Sequence, residues 1–144
     1  MDFQPFSCSP ALPRGFSIRS LVERARFRQE VAELLQSSAI FVLPSRFEGL
    51  GVAYLEAMAS GLPTIAYRGQ GIQEVIRHGE NGILVAEHGA EAAPRAWAAV
   101  LRTLLRNDEM RQALGAAARQ TVEEGYTLRH QAQALLRVYE ECLV

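Results

Sequence analysis

Cysteine is scarce in this chain. Only Cys8 and Cys142 occur in 144 residues, near opposite ends and without a Cys-x-x-Cys spacing. This excludes a disulfide scaffold and points to two unpaired thiols in a reducing, cytoplasmic compartment. Histidine is equally sparse: His78, His88 and His130 stand singly in polar stretches, so no metal site is expected. An excess of charge is missing too. Fifteen Lys and Arg face sixteen Asp and Glu, a net charge of −1, which argues against nucleic-acid binding and against a polybasic membrane patch. No apolar run approaches the roughly 20 residues of a membrane span. Residues 1–17 carry Pro5, Pro10 and Pro13 but no apolar core of a signal peptide. The chain also lacks a Walker loop, a complete dinucleotide fingerprint and a Gly-x-Ser-x-Gly elbow.

What remains is an ordinary globular composition, 49% hydrophobic and 22% charged. The length suits one domain with a real core. We read residues 1–20 as an irregular arm and 21–144 as the domain. Val22 to Gln36 has helical periodicity, with Val31, Leu34 and Leu35 on one face. Ala39 to Leu43 is continuously apolar, as in a strand covered on both sides. A helix over about 52–60 follows, closed by Gly61 and Pro63. Thr-Ile-Ala-Tyr67 is a second strand, Arg68 to Gly71 a turn, Gln73 to Arg77 a short helix, and Ile83 to Val85 a third strand after an Asn81-Gly82 turn. Helices are expected at 90–106, 108–123 and 128–143, with Trp97 and Tyr139 in the core. Strands alternating with helices predict an α/β fold: a parallel, Rossmann-like sheet with right-handed crossovers and a helical C-terminal segment.

The chemistry concentrates in Pro44 to Leu62. Glu48 and Glu56 flank the glycine pair Gly49 and Gly51, between the apolar run and the helix. Strand, glycine-containing loop and helix together make an anion site, because free N–H groups at a helix start point at a phosphate. Carboxylates add acceptors for hydroxyls, so the ligand expected carries both phosphate and sugar. Gly69 and Gly71 form a lone Gly-x-Gly, which a turn needing positive φ would equally explain. Glu74 is expected to stabilise the N-terminal end of the short helix, and Arg46 to be a solvated loop residue.

These motifs carry a resemblance. Pro44-Ser45, Glu48-Gly49-Leu50-Gly51 and Glu56-Ala-Met-Ala-Ser-Gly-Leu-Pro63 occur in order, followed by Gly71-Ile-Gln-Glu-Val-Ile76 and Gly79-Glu-Asn-Gly-Ile-Leu-Val85, with seven residues between Glu48 and Glu56. The chain thereby resembles the nucleotide-sugar-binding C-terminal domain of the EX7E family of retaining glycosyltransferases, which have the GT-B fold. Within that family its details look nearest to bacterial cell-surface polysaccharide enzymes. The resemblance implies that Glu56 accepts hydrogen bonds from the nucleotide ribose; because it shares a helix side with Val52 and Ala59, it is expected to be partly buried. Glu48 is the implied catalytic residue, facing the donor sugar either as nucleophile or within a single-displacement route. Gly49, Leu50, Gly51 and Val52 would offer backbone N–H groups to the diphosphate, with glycine at 49 and 51 because a Cβ would obstruct the ligand. Gly69 and Gly71 would line the cleft. The implied donor is a UDP-sugar by default, with no further cofactor.

The departures from the family are also clear. A GT-B enzyme has a second Rossmann-like domain carrying the acceptor site, for which 144 residues leave no room. The family's diphosphate-gripping arginine and lysine have no convincing equivalent before Glu30; Arg24, Arg26 and Arg28 fall in a predicted helix without a matching motif. Two readings follow. One is a donor half whose partner domain is a separate chain, held at the inner membrane face, if at all, through that partner. The other is a truncated noncatalytic nucleotide-sugar-binding or assembly fragment, with an exposed sheet edge where strands are missing.

Overall fold

The computed structural model describes residues 28–45, 47–86 and 89–143. The expected arm at 1–20, the first turns of the helix expected from Val22, and Cys8, Arg46 and His88 lie outside them. The fold is built on a three-stranded parallel sheet in the order β1-β2-β3. Helix α1 (Arg28–Ser37) leads into β1 (Phe41–Val42), and helix α2 (Val52–Ala59) connects β1 to β2 (Thr64–Tyr67). A single 3₁₀ turn at Gly71–Glu74 precedes β3 (Ile83–Val85), and helices α3 (Gly89–Arg106), α4 (Asp108–Gly125) and α5 (Leu128–Cys142) complete the chain. The register pairs Phe41 with Thr64 and Val42 with Ile65, then Ile65 with Ile83, Ala66 with Leu84 and Tyr67 with Val85.

Burial follows from that order. β2 is the middle strand, and all four of its residues are buried. Ile65 and Tyr67 point to one face and pack with Ile83, Val85, Trp97, Leu104 and Leu114. Ala66 points to the other and packs with Tyr54, Met58, Ile72, Leu84, Ala118 and Val122. A parallel strand clothed on both faces reads as an unbroken apolar run, as Thr-Ile-Ala-Tyr nearly does. Trp97 is in the core as expected, set edge-on to Tyr67 with ring centroids 5.0 Å apart. β1 is different. Ala39 to Leu43 is only half-buried, not covered on both sides, and among the described residues β1 pairs with β2 alone.

Local rules set the helix ends. Gly61, at φ +74°, terminates α2, and its N–H donates to the Met58 carbonyl at 2.9 Å. Asn107 caps α4 by accepting from the Met110 N–H at 2.9 Å. Thr127 caps α5, with the His130 ring accepting back from the Thr127 N–H. α4 crosses α2 closely: a Cβ on Gly115 would lie 3.1 Å from the Gly61 carbonyl carbon.

Two expectations fail here. The short helix expected at 73–77 is instead the 3₁₀ turn at Gly71–Glu74, with Glu74 as the acid of its first turn. Tyr139 is not in the core but 64% exposed. α5 is amphipathic, with Leu128, Leu135, Leu136, Tyr139 and Leu143 at helical spacing, yet it runs clear of the sheet and every residue from Gln131 to Leu143 is exposed. Among the described residues no helix is long and apolar enough to cross a membrane.

Candidate functional site

β1 and β2 are parallel neighbours, so the loops that leave their C-terminal ends emerge side by side. The first loop, 43–51, holds Glu48, Gly49 and Gly51; the second, 68–71, holds Gly69 and Gly71. The structure brings the two together. The Glu48 N–H donates to the Gln70 side-chain carbonyl at 2.9 Å, and the Gly71 N–H donates to the Glu48 carbonyl at 3.5 Å. Gly71 lies on the main chain of Gly49: a Cβ at 71 would sit 2.6 Å from the Gly49 carbonyl carbon and 3.2 Å from the Leu50 nitrogen. Its glycine is required by that approach.

The other glycines divide. Gly51 is the N-cap of α2 at φ +68°, and a Cβ there would lie 2.6 Å from the Tyr54 ring. The fold itself thus demands glycine at 51, whatever binds. Gly69 has open space around it but φ +95°, which is the turn explanation; its N–H donates to the Gln73 side chain at 2.8 Å. Gly49 has neither a positive φ nor a neighbour within 4 Å, so the fold makes no visible demand there.

The side chains separate by face. α2 buries Tyr54, Ala57 and Met58, which turns Val52, Glu56 and Ala59 outward. Glu56 is therefore exposed, not partly buried as expected. Glu48 is half-buried, while Phe47, Leu50 and Val52 around it are exposed, Phe47 at 95%. Gly51, by its missing side chain, offers no cap to α2, and the first N–H groups of a helix have no partners within it. The helix start can receive an anion, and the exposed carboxylate of Glu56 can accept from hydroxyls. Among the described residues no group of three His, Cys, Asp or Glu side chains surrounds a common point.

Four residues to which sequence reasoning assigned no part in the site hold this arrangement. Tyr54 lies under the loop, fully buried. Its hydroxyl donates to the Leu43 carbonyl at 2.6 Å, and its ring stands edge-on to Phe41 with centroids 5.7 Å apart. Burial, aided by the nearby Glu48 charge, pushes its pKa up to about 12, so the phenol remains a donor. The signal was available: a tyrosine on the apolar stripe of α2 needs a buried acceptor. Gln70 and Gln73 gave no such signal, being polar residues in a turn. Behind the second loop, Asn81 is fully buried and fully bonded. Its amide donates to the Val75 carbonyl at 3.1 Å and to Thr121 Oγ1 at 2.9 Å, and its carbonyl accepts from the Arg77 N–H at 2.7 Å.

Comparison with known proteins gives this geometry a context. The family model described as glycosyl transferases group 1 matches residues 21–121. A D-inositol 3-phosphate glycosyltransferase of Jonesia denitrificans is 32% identical over 131 residues, covering 88% of this chain and 30% of that protein. A sulfoquinovosyl transferase of Arabidopsis thaliana is 39% identical over 98 residues, 66% of this chain and 18% of that one. The chain thus spans less than a third of the length of these curated relatives. Among solved structures, the C-terminal domain of a glycosyl transferase group 1 family protein from Francisella tularensis superposes with a TM-score of 0.64 at 27% identity, over 72% of this chain and 51% of that one. The sucrose-phosphate synthase of Thermosynechococcus elongatus gives 0.72 at 25% identity, over 81% and 29%. The sheet and its helices are those of a GT-B C-terminal domain.

Proposed function

This chain belongs to the glycosyl transferases group 1 family, and from that premise we propose that it is the donor-binding domain of a retaining glycosyltransferase. The observation that carries the reading is the meeting of two loops at one sheet edge. The acid-bearing loop opens into α2 through Gly51 while the second loop grips it at Glu48 and Gly49. In this reading the diphosphate of a nucleotide sugar lies at the start of α2 and accepts from the main-chain N–H groups of Leu50, Gly51 and Val52. Gly49 leaves room for the ligand's approach. Glu56, exposed one turn into α2, accepts from the two ribose hydroxyls. Glu48 faces the donor sugar. UDP-sugar is the donor we favour, with no additional cofactor.

The acceptor hydroxyl comes from the facing domain, supplied by another polypeptide or by another part of the protein. The transfer serves polysaccharide or glycoconjugate synthesis in the cytoplasm. Titration calorimetry of the purified chain with UDP, GDP and ADP tests the reading. Saturable binding of one nucleotide, weakened about tenfold or more in Glu56→Ala, is expected, since a hydrogen bond to a charged group contributes about 1.5–3 kcal/mol. A folded chain that binds none of the three would sink it.

A further inference from the structure

The loop residues beside Glu48 (Phe47, Gly49 and Leu50) are exposed, and exposed loops move unless something pins them. Here both ends are anchored by one buried side chain. Tyr54 bonds the Leu43 carbonyl at one end and its ring lies against Gly51 at the other. Between those ends the side chain of Gln70 takes the Glu48 N–H at 2.9 Å, and the Gly71 N–H returns to the Glu48 carbonyl at 3.5 Å. Gln70 itself is extended, at φ −99° and ψ 161°, and Gly71 beside it has no side chain to hold the loops apart.

We propose that Gln70 is a positioning residue for Glu48, clamping its main chain so that the carboxylate stands at a fixed place beside the donor sugar. The inference rests on the reading of Glu48 as the sugar-facing acid. Glutamine fits the task physically. Its carbonyl is long enough to reach across, it accepts from an N–H, and it brings no second negative charge to a carboxylate. The clamp has a corollary for the ligand: the Glu48 N–H is already engaged, so the diphosphate draws its donors from Gly49 onward.

Amide hydrogen exchange on the ¹⁵N-labelled chain tests the clamp without any ligand. In Gln70→Ala the Glu48 amide should exchange about fivefold faster or more, the ratio matching a typical hydrogen bond's net worth of about 1 kcal/mol. The Ile65 and Ala66 amides of β2 should be unchanged. Gln70→Glu keeps an acceptor oxygen and should restore the protection. Calorimetry with UDP, GDP and ADP and with their glucose esters then reads the consequence. Gln70→Ala should lose about fivefold of the preference for the sugar ester over the free nucleotide, with the free nucleotide bound as before. Unchanged Glu48 exchange would overturn the clamp. Faster exchange with an unchanged sugar preference would overturn its role at the donor. A folded wild type that binds no nucleotide would overturn the donor-site reading and that role together, while the exchange rates still report whether Gln70 holds the loop.

Discussion

Replacing Gly71 with alanine should damage the site by forcing its two loops apart. The added methyl would sit 2.6 Å from the Gly49 carbonyl carbon and 3.2 Å from the Leu50 nitrogen. Both are main-chain atoms, so no flexible side chain can yield. Carbon atoms rest at about 3.5–4.0 Å, which requires the loops to part by roughly 1 Å. The Gly71–Glu48 hydrogen bond, already 3.5 Å long, would break, and the Gln70–Glu48 bond would stretch from 2.9 Å. Overpacking of this kind destabilises by about 1–3 kcal/mol. Gly49→Ala is the control, because its methyl meets nothing within 4 Å and a surface change of that sort stays within about 0.5 kcal/mol. Urea denaturation of both variants, followed by calorimetric titration with nucleotide sugar, separates the cases. Gly71→Ala should lose stability and ligand. Gly49→Ala should lose ligand alone, the methyl now standing where the ligand approaches. A Gly71→Ala protein as stable as wild type would refute the close approach, and a Gly49→Ala protein that binds normally would refute the ligand's need for that space.

Two further outcomes can be measured on the chain by itself. Asn81→Leu strands the Arg77 N–H and the Val75 carbonyl behind the second loop, while the Thr121 hydroxyl keeps its bond to the Ala117 carbonyl, and each buried group left unpaired costs about 1–3 kcal/mol; chemical denaturation should show a loss of at least about 2 kcal/mol, and a neutral variant would refute the network's weight. For Tyr54 the expected signature is in alkali. The folded pKa of about 12 exceeds the model-peptide 10.0, so above pH 10 the unfolded chain sheds a proton that the folded chain keeps. Its contribution is full below pH 10 and disappears as pH rises through about 12, a loss of about 2 kcal/mol. Unfolding free energies from pH 8 to 12 should fall more steeply for wild type than for Tyr54→Phe, and parallel curves would contradict the assignment.

The elements that were legible in the chain are those governed by neighbours in sequence. Gly61 and Pro63 ended α2 as read, and the helices α3, α4 and α5 began and ended within two residues of their periodic patterns. The motif from Pro44 to Pro63 also placed the glycine loop before a helix, where the structure has it. Burial was read less well. Periodicity marks an apolar stripe but not what covers it, so Tyr139 was assigned to a core that its helix never reaches. Continuous apolarity at Ala39 to Leu43 likewise signalled a strand covered on both sides, whereas the segment is half-buried and, among the described residues, β1 pairs with β2 alone. Glu56 was expected to be partly buried because it shares a side with Val52 and Ala59; that whole side faces out.

The amino-acid order by itself therefore determined the local vocabulary of this protein: helix stops, the glycine-led helix start, the alternation that yields a parallel sheet, and the pair of acids with their spacing. Those features depend on φ preferences and on side chains three or four residues apart, which a sequence displays directly. Only the tertiary structure decided that Gln70 meets Glu48 across 22 positions, that Gly71 is small because Gly49 lies on it, and that Gly51 is small because of Tyr54. These contacts arise because parallel strands bring two distant loops to one edge of the sheet, and no local spacing encodes which atoms then touch.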